Sequence, residues 1–237
     1  RQEVTGRYLR WAGELAADLE HRMERGEPWQ AAFDAVADDL RAALGLADGA
    51  VAAALARSLG HLMFARRFLA ESRRHYLRAA ECAADDAAAA RDLWSAAGVA
   101  QVESKGQLRY EYAVAAAERA AAAGDHGTQA AVLAEAVSVA TRFPAIFDRD
   151  VGLAELQQIL DLAHRVAPPG DVAATAQLRA ADAWTQTRLV DVPDAASFHA
   201  ALAAAERADD PVLISAALDA LGSMQVMSGH FVEPQER

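Results

Sequence analysis

One alanine-rich string occurs twice in this chain, and its recurrence constrains the fold more than any other feature. "AAAERAAAAGD" covers residues 115–125 and "LAAAERADDP" covers residues 202–211. Two further segments, "RAAECAADD" and "LDLAHRVAPPGD", align with them, and the aligned residues recur at intervals of 37, 46 and 42: Glu81, Glu118, His164 and Glu206. Such intervals are typical of stacked helical hairpins, each of which buries its apolar face only against its neighbours. Each string is therefore predicted to end one hairpin, and the Asp at or near its end to cap the next helix.

The apolar residues between these strings have a helical period. The first segment shows it clearly, with Tyr8, Ala12, Leu15, Leu19 and Met23 three or four positions apart. No segment of the sequence alternates apolar and polar residues in the way that marks a strand. The sequence predicts an all-α fold of about eleven helices, arranged as a right-handed array of about five and a half hairpins.

Composition excludes several classes of partner. The chain has 34 acidic and 23 basic residues and a net charge of -11, which repels a phosphate backbone, so no direct binding to nucleic acid is expected. No apolar run is long enough to cross a membrane, so no membrane partner is expected. The single cysteine, Cys82, leaves no disulfide framework and favours a cytoplasmic location. The chain begins with Arg1 rather than Met and is expected to be a piece of a longer protein.

Catalytic chemistry has no recognisable motif in this sequence. The seven histidines lack the spacing of metal ligands, and the acidic doublets fall at helix faces or ends, where they stabilise helices. No serine lies in a nucleophile motif. The sequence therefore predicts a protein that is not an enzyme and binds no metal.

One hairpin resembles the tetratricopeptide motif. In "ALARSLGHLMFARRFLAESRRHYLRAAECA", Leu59 and Gly60 match its Leu-Gly pair, and Ser72, Tyr76 and Ala79 match its small, aromatic and Ala positions. The resemblance implies that two antiparallel helices touch at Gly60 and Ser72, while Tyr76 and Ala79 pack against the following hairpin. Similar copies begin around Trp94 and Gly98 and around Leu221 and Gly222. The copy around Gly98 has Tyr110 at the small position, so that hairpin is expected to pack differently.

Longer segments resemble large ATP-binding bacterial regulators of the LuxR and antibiotic-regulatory kinds. "YLRWAGELAADLEHRMERGEPWQAAFDAVADDLRAAL" is similar to the segment that follows their ATPase module, and "RFPAIFDRDVGLAELQQILDLAHRVA" and "DDPVLISAALDALGSMQVMSGHF" resemble later parts of their helical arrays. The resemblance implies that residues 1–46 form a hairpin joining a missing upstream ATPase-like module. Residues 47–237 would then be tetratricopeptide-like repeats, truncated after the first helix of the last hairpin.

This resemblance also implies a function. The chain would be a non-catalytic interaction and sensor arm of a bacterial transcriptional regulator. The phosphate-binding motif GxxxxGK[ST] is absent from the sequence, so ATP is expected only in the upstream module and no cofactor in this segment. Two alternatives stay open: a receptor for a small inducer, and the regulatory arm of a cyclase-type signalling protein.

In a tetratricopeptide register the first helices of the hairpins line a concave groove. The candidate groove residues for a protein, a peptide or a small ligand are Arg57, His61, Phe64, Ser95, Glu103, Arg142, Arg179 and Asp219. If the chain is instead a receptor for a small inducer, that inducer is expected among Arg57, His61 and Phe64.

A second candidate surface is basic. Its arginines are Arg66, Arg67, Arg73, Arg74 and Arg78. They form either a solvated face neutralised by Glu71 and Glu81 or a docking patch for an acidic partner, which includes the chain's own upstream module.

Two apolar segments complete the expectations. "RFPAIFDRDV" lies between helices and is expected to pack back over them; the alternative is that it contacts a partner. The incomplete last hairpin leaves an apolar face through which a homodimer could form.

Overall fold

Helices account for nearly all of the computed structural model, which describes residues 2–189 and 195–227. The helices are α1 (Gln2–Glu24), α2 (Gln30–Leu46), α3 (Gly49–Ala65), α4 (Leu69–Glu81), α5 (Asp86–Val102), α6 (Gly106–Ala122), α7 (His126–Arg142), α8 (Leu153–Val166), α9 (Val172–Thr187), α10 (Ala195–Ala208) and α11 (Pro211–Met227). A short 3₁₀ turn, Pro144–Ile146, follows α7, and no strand occurs in the described ranges. The predicted all-α fold with eleven helices is confirmed, and their packing is consistent with a helical-repeat array. Its right-handedness stays a prediction.

The helices form two compact units, Arg1–Ala123 and Gly124–Arg237. In the first unit α1 packs against α2 and α3, and α4 lies between α3 and α5. In the second unit α7 packs against α8 and α9, α9 against α10, and α10 against α11. The boundary predicted between the hairpin of residues 1–46 and the repeats from residue 47 lies inside the first unit, where α2 contacts α3. None of the described helices is both long and apolar enough to span a bilayer.

Aspartates cap the helices that follow the repeated strings, as predicted. The four capping residues are Asp85, Asp125, Asp171 and Asp210. The carboxylate of each accepts a hydrogen bond, 2.8 to 3.0 Å long, from the main-chain N–H two or three residues later in the chain. Gly124 and Gly170 precede two of them in the left-handed region, with φ of +73° and +84°. That conformation is inexpensive for glycine, so the helix before each glycine can end there.

The α3–α4 hairpin has the contact that the tetratricopeptide resemblance implies. The Ser72 hydroxyl donates to the Gly60 carbonyl at 2.7 Å, and a Cβ on Gly60 would lie 3.0 Å from the Tyr76 ring. Tyr76 packs with Ala96 and Val99 of α5, the first helix of the next hairpin. The predicted roles of Gly60, Ser72 and Tyr76 are therefore confirmed.

The α5–α6 hairpin packs differently, also as expected. A Cβ on Gly98 would meet nothing within 4 Å, whereas Tyr110 is buried. Gly98 therefore has no counterpart of the close contact between Gly60 and the Tyr76 ring.

An aromatic pair forms the core at one end of the second unit. Trp184 of α9 and Phe198 of α10 meet edge to face, with ring centroids 4.9 Å apart. Leu221 and Met224 of α11 pack against this pair. The opposite side of α11 exposes Val212, Leu218 and Val226. The predicted truncation after this helix falls on residues outside the described ranges.

The apolar segment after α7 does not bury all of its side chains. Phe143 and Ile146 each remain more than a third exposed, although Val151 is buried. The expectation that this segment packs back over the helices is wrong for Phe143 and Ile146. The chain turns immediately after α7, and the Arg142 guanidinium lies over the Phe143 ring, 4.6 Å from its centroid.

Candidate interaction surfaces

Arg57, a predicted groove residue, pairs with a carboxylate in the protein interior. Its Nε and Nη2 atoms donate to the two carboxylate oxygens of Asp92 at 2.6 and 2.7 Å. Asp92 is 1% exposed, whereas the Arg57 side chain is 38% exposed. A buried carboxylate requires such a partner, so this pair links α3 to α5.

His61 and Ser58, also on α3, pair with Glu20 of α1. His61 Nδ1 lies 2.6 Å from Glu20 Oε1, and the Ser58 hydroxyl donates to the other carboxylate oxygen. The hydrogen bond with Glu20 raises the pKa of His61 above its ordinary value of 6.5. Burial alone would raise the pKa of Glu20, but the hydrogen bonds from His61 and Ser58 outweigh it and lower that pKa.

Together these contacts form one polar network along α1, α3 and α5 of the first unit. The edge of the His61 ring also contacts Tyr76, with centroids 5.6 Å apart. Arg57 and His61 therefore hold three helices together. The charged groups of this network are therefore paired with one another. The described residues contain no cluster of three or more His, Cys, Asp or Glu side chains suited to a metal ion.

The other predicted groove residues of the first unit have separate environments. Phe64 is half-buried against the apolar cluster around Tyr76, and the Ser95 hydroxyl donates to a carbonyl of its own helix. Glu103 accepts from Arg73 at 2.7 Å and from Lys105 at 3.1 Å. These three residues do not join the polar network.

Two of the predicted groove residues pair with each other in the second unit. Arg142 lies 2.7 Å from Asp219 and also donates to Ser223. Its guanidinium contacts the Trp184 ring as well, 5.1 Å from the centroid. This cluster links α7, α9 and α11. The Arg142 charge is therefore already paired with a carboxylate of the same unit.

The predicted basic patch separates into paired and unpaired arginines. Arg66 pairs with Asp34, Arg73 with Glu103, and Arg78 with Glu81. Glu71, expected as a partner of the patch, pairs instead with Arg41 at 2.6 Å and with His75. The prediction that Glu81 neutralises part of the patch is confirmed, whereas Glu71 neutralises an arginine outside it.

Arg67 and Arg74 are the arginines of the patch left without a partner. Both are exposed, and neither makes an ion pair or hydrogen bond through its guanidinium to any residue in the described ranges. Phe68, next to Arg67, is 49% exposed. We call Arg67, Phe68 and Arg74 the α4 surface, because Arg67 and Phe68 immediately precede α4 and Arg74 is exposed on it.

The second unit has a cleft that the sequence did not predict as a site. Its volume is about 530 Å³, and side chains of α8, α9 and α10 line it, among them Gln157, Leu160, Arg179, Asp182, Thr185 and Ser197. Only Arg179 belonged to the predicted groove. The sequence signal was present on α9, where Arg179, Asp182 and Gln186 recur every three or four positions on one face.

Comparison with models of known protein families gives no match, and neither does comparison with curated proteins.

Proposed function

We propose that this chain is the non-catalytic interaction arm of a bacterial ATP-binding transcriptional regulator of the LuxR or antibiotic-regulatory kind. The tetratricopeptide-like contact at Gly60, Ser72 and Tyr76 supports the repeat part of this proposal. Hairpins of this kind present extended surfaces to other proteins, and partner binding would favour one arrangement of the arm over another. The parent protein would act in the cytoplasm.

The observation that carries the proposal is the uncompensated charge of the α4 surface. In a chain of net charge -11, Arg67 and Arg74 keep free guanidinium groups while the neighbouring arginines are paired. A guanidinium binds a carboxylate through two parallel hydrogen bonds, and an exposed aromatic ring adds apolar contact area. The partner that fits is an acidic protein segment with an apolar side chain, such as a segment of the upstream module.

A binding measurement tests the α4 surface directly. The probe is a fluorescein-labelled peptide of glutamates around a central Leu-Phe pair, titrated by fluorescence anisotropy at low and high salt. We expect the double variant Arg67→Glu, Arg74→Glu to weaken peptide binding by about tenfold or more, because it replaces attraction to the glutamates with repulsion. We also expect high salt to weaken peptide binding to the wild-type protein, because dissolved ions screen exposed charges.

The matched control makes the same charge change in the second unit. Arg165 and Arg207 are exposed and have no ion pair with a described residue. We expect Arg165→Glu with Arg207→Glu to retain affinity within about twofold. Equal weakening by both double variants, or no saturable binding to wild-type protein, contradicts the proposal.

The regulatory arm of a cyclase-type signalling protein is the alternative context for the same surface. Both parents would use the α4 surface in the same way, so the sequence of the parent's output domain decides between them. A small inducer among Arg57, His61 and Phe64 has less support, because Arg57 and His61 are already bound by Asp92 and Glu20.

A further inference from the structure

The cleft of the second unit is an open space between α8, α9 and α10. Residues of α9 line it along one face, while Gln157 and Leu160 of α8 and Ser197 and Ala200 of α10 border it. Its volume of about 530 Å³ lies within the range of small-molecule sites in proteins. Six of the ten lining residues are polar or charged, and the apolar ones are Leu160, Leu189, Ala196 and Ala200.

A buried hydroxyl group borders this cleft without a partner. Thr185 is 3% exposed, and its Oγ1 atom makes no hydrogen bond to any described residue. Thr141, a buried threonine of α7, shows the ordinary arrangement, in which the hydroxyl donates to a carbonyl of its own helix at 2.7 Å. An unsatisfied buried hydroxyl destabilises a fold. Solvent does not reach this oxygen in the ligand-free structure, so rotation about the Thr185 Cα–Cβ bond is needed for the hydroxyl to donate to a ligand in the cleft.

One positive charge is free in the cleft. Arg179 is exposed and has no ion pair with a described residue. Asp182, three residues along the same face, is already 2.8 Å from His164, and Gln186 accepts a hydrogen bond from Ser197. A ligand would therefore meet one guanidinium and the apolar side chains of Leu160 and Leu189, together with the Thr185 hydroxyl once that side chain turns toward the cleft.

From these groups we infer that the cleft binds a small organic monocarboxylate with an apolar body. Arg179 would hold the carboxylate, Thr185 would donate to an oxygen of the ligand, and the apolar body would contact Leu160 and Leu189. A phosphate dianion fits less well, because a single guanidinium faces it and the Asp182 carboxylate repels it. This inference does not depend on the proposed protein-binding function, because the α4 surface lies in the first unit.

The test compares an anionic probe with its neutral counterpart. Phenylbutyrate and phenylbutyramide are titrated into the full chain and followed by amide-resolved NMR. We expect phenylbutyrate to shift resonances of α8, α9 and α10 in a saturable way, and the amide to bind at least about fivefold more weakly because it lacks the charge that Arg179 pairs with.

Variants then assign the two polar contacts. Arg179→Gln should weaken phenylbutyrate binding about fivefold or more, while Arg165→Gln, an exposed arginine of α8 outside the cleft lining, should leave it unchanged. Thr185→Val replaces the free hydroxyl with a methyl group of similar size. We expect it to keep or raise the melting temperature of the ligand-free protein and to weaken phenylbutyrate binding about threefold or more.

Several results would overturn the inference. These are no saturable shifts up to about 10 mM phenylbutyrate, equal affinity for the amide, or equal effects of Arg179→Gln and Arg165→Gln. A lower melting temperature for Thr185→Val without any loss of phenylbutyrate affinity would show that the hydroxyl stabilises the fold and contacts no ligand.

Discussion

At Gly60 two helices approach so closely that a single methyl group matters. The Cβ of an alanine there would lie 3.0 Å from the Tyr76 ring, which is held between His61 and the side chains of α5. We expect Gly60→Ala to lower the free energy of unfolding by about 1 kcal/mol or more, because this overlap outweighs the gain in helix propensity. Urea denaturation measures the change.

Gly98 provides the matched control, because it lies inside α5 with nothing within 4 Å of an added Cβ. We expect Gly98→Ala to leave stability unchanged or raise it by up to about 1 kcal/mol. Similar losses for both alanine variants would mean that the contact between Gly60 and Tyr76 contributes nothing specific.

The Arg57–Asp92 pair predicts an asymmetry between its partners. Asp92 is buried and Arg57 is partly exposed, so only the arginine can turn to water when its partner is lost. We expect Arg57→Met to cost about 3 kcal/mol or more, since it leaves a buried carboxylate unpaired, and Asp92→Asn to cost clearly less. Denaturant titration of both variants at neutral pH checks the order, and a larger loss for Asp92→Asn would contradict it.

The Glu20–His61 contact predicts a pH-dependent difference in stability. The folded pKa of His61 is raised, so its contribution is fully present below about 6.5 and is lost as pH rises through the folded value. The folded pKa of Glu20 is lowered, so its contribution is present above about 4.5 and is lost at lower pH. The contact therefore stabilises most between these values.

We expect the stability difference between wild type and His61→Gln to be larger near pH 5.5 than near pH 8.5, by less than about 1 kcal/mol because His61 is partly exposed. Burial lowers the pKa of His75, but His75 is present in both proteins and its effect cancels in the difference. Thermal unfolding at the two pH values measures the difference, and no change with pH would contradict the account.

Residue contacts were predictable from the sequence only where they are local. Ser72 and Tyr76 contact Gly60 across the turn between α3 and α4, and the tetratricopeptide motif specifies the spacing of these residues. Glu20 and His61 lie 41 residues apart, and their pairing depends on how α1 rotates against α3. Apolar periodicity specifies which face of a helix is buried but not which charged side chains meet at its edge.

Helix ends were predictable because their signals are short and physical. The Asp residues at the ends of the repeated strings cap α5, α7, α9 and α11, as the recurrence predicts. The segment between α7 and α8 was predicted less well. Its apolar residues favoured burial, yet a turn of three residues brings too little chain back to cover Phe143 and Ile146.

The caps give a prediction for single helices. We expect Asp125→Ala to lower the free energy of unfolding by about 1 kcal/mol, because the Thr128 N–H at the start of α7 loses its acceptor. Asp48 precedes α3 but makes no side-chain cap, so Asp48→Ala should cost less than about 0.5 kcal/mol. Urea denaturation of both variants compares them, and equal losses would mean that charge near a helix terminus, rather than the cap, stabilises these helices.

The whole chain has two units, each with contacts of its own. The all-helical fold followed from periodicity, but the division after Ala123 did not, because the punctuation there resembles that between other hairpins. The candidate surfaces follow the same division, with the α4 surface in the first unit and the cleft in the second.

The central claim is that neighbouring hairpins stabilise one another through specific contacts, as in a repeat protein. Hydrogen exchange measured by mass spectrometry on wild type and Tyr76→Ala tests it most directly, because Tyr76 joins α3, α4 and α5. We predict faster exchange in α3, α4 and α5 and unchanged exchange in α8, α9 and α10. A uniform increase along the whole chain would show a single cooperative core and contradict the account.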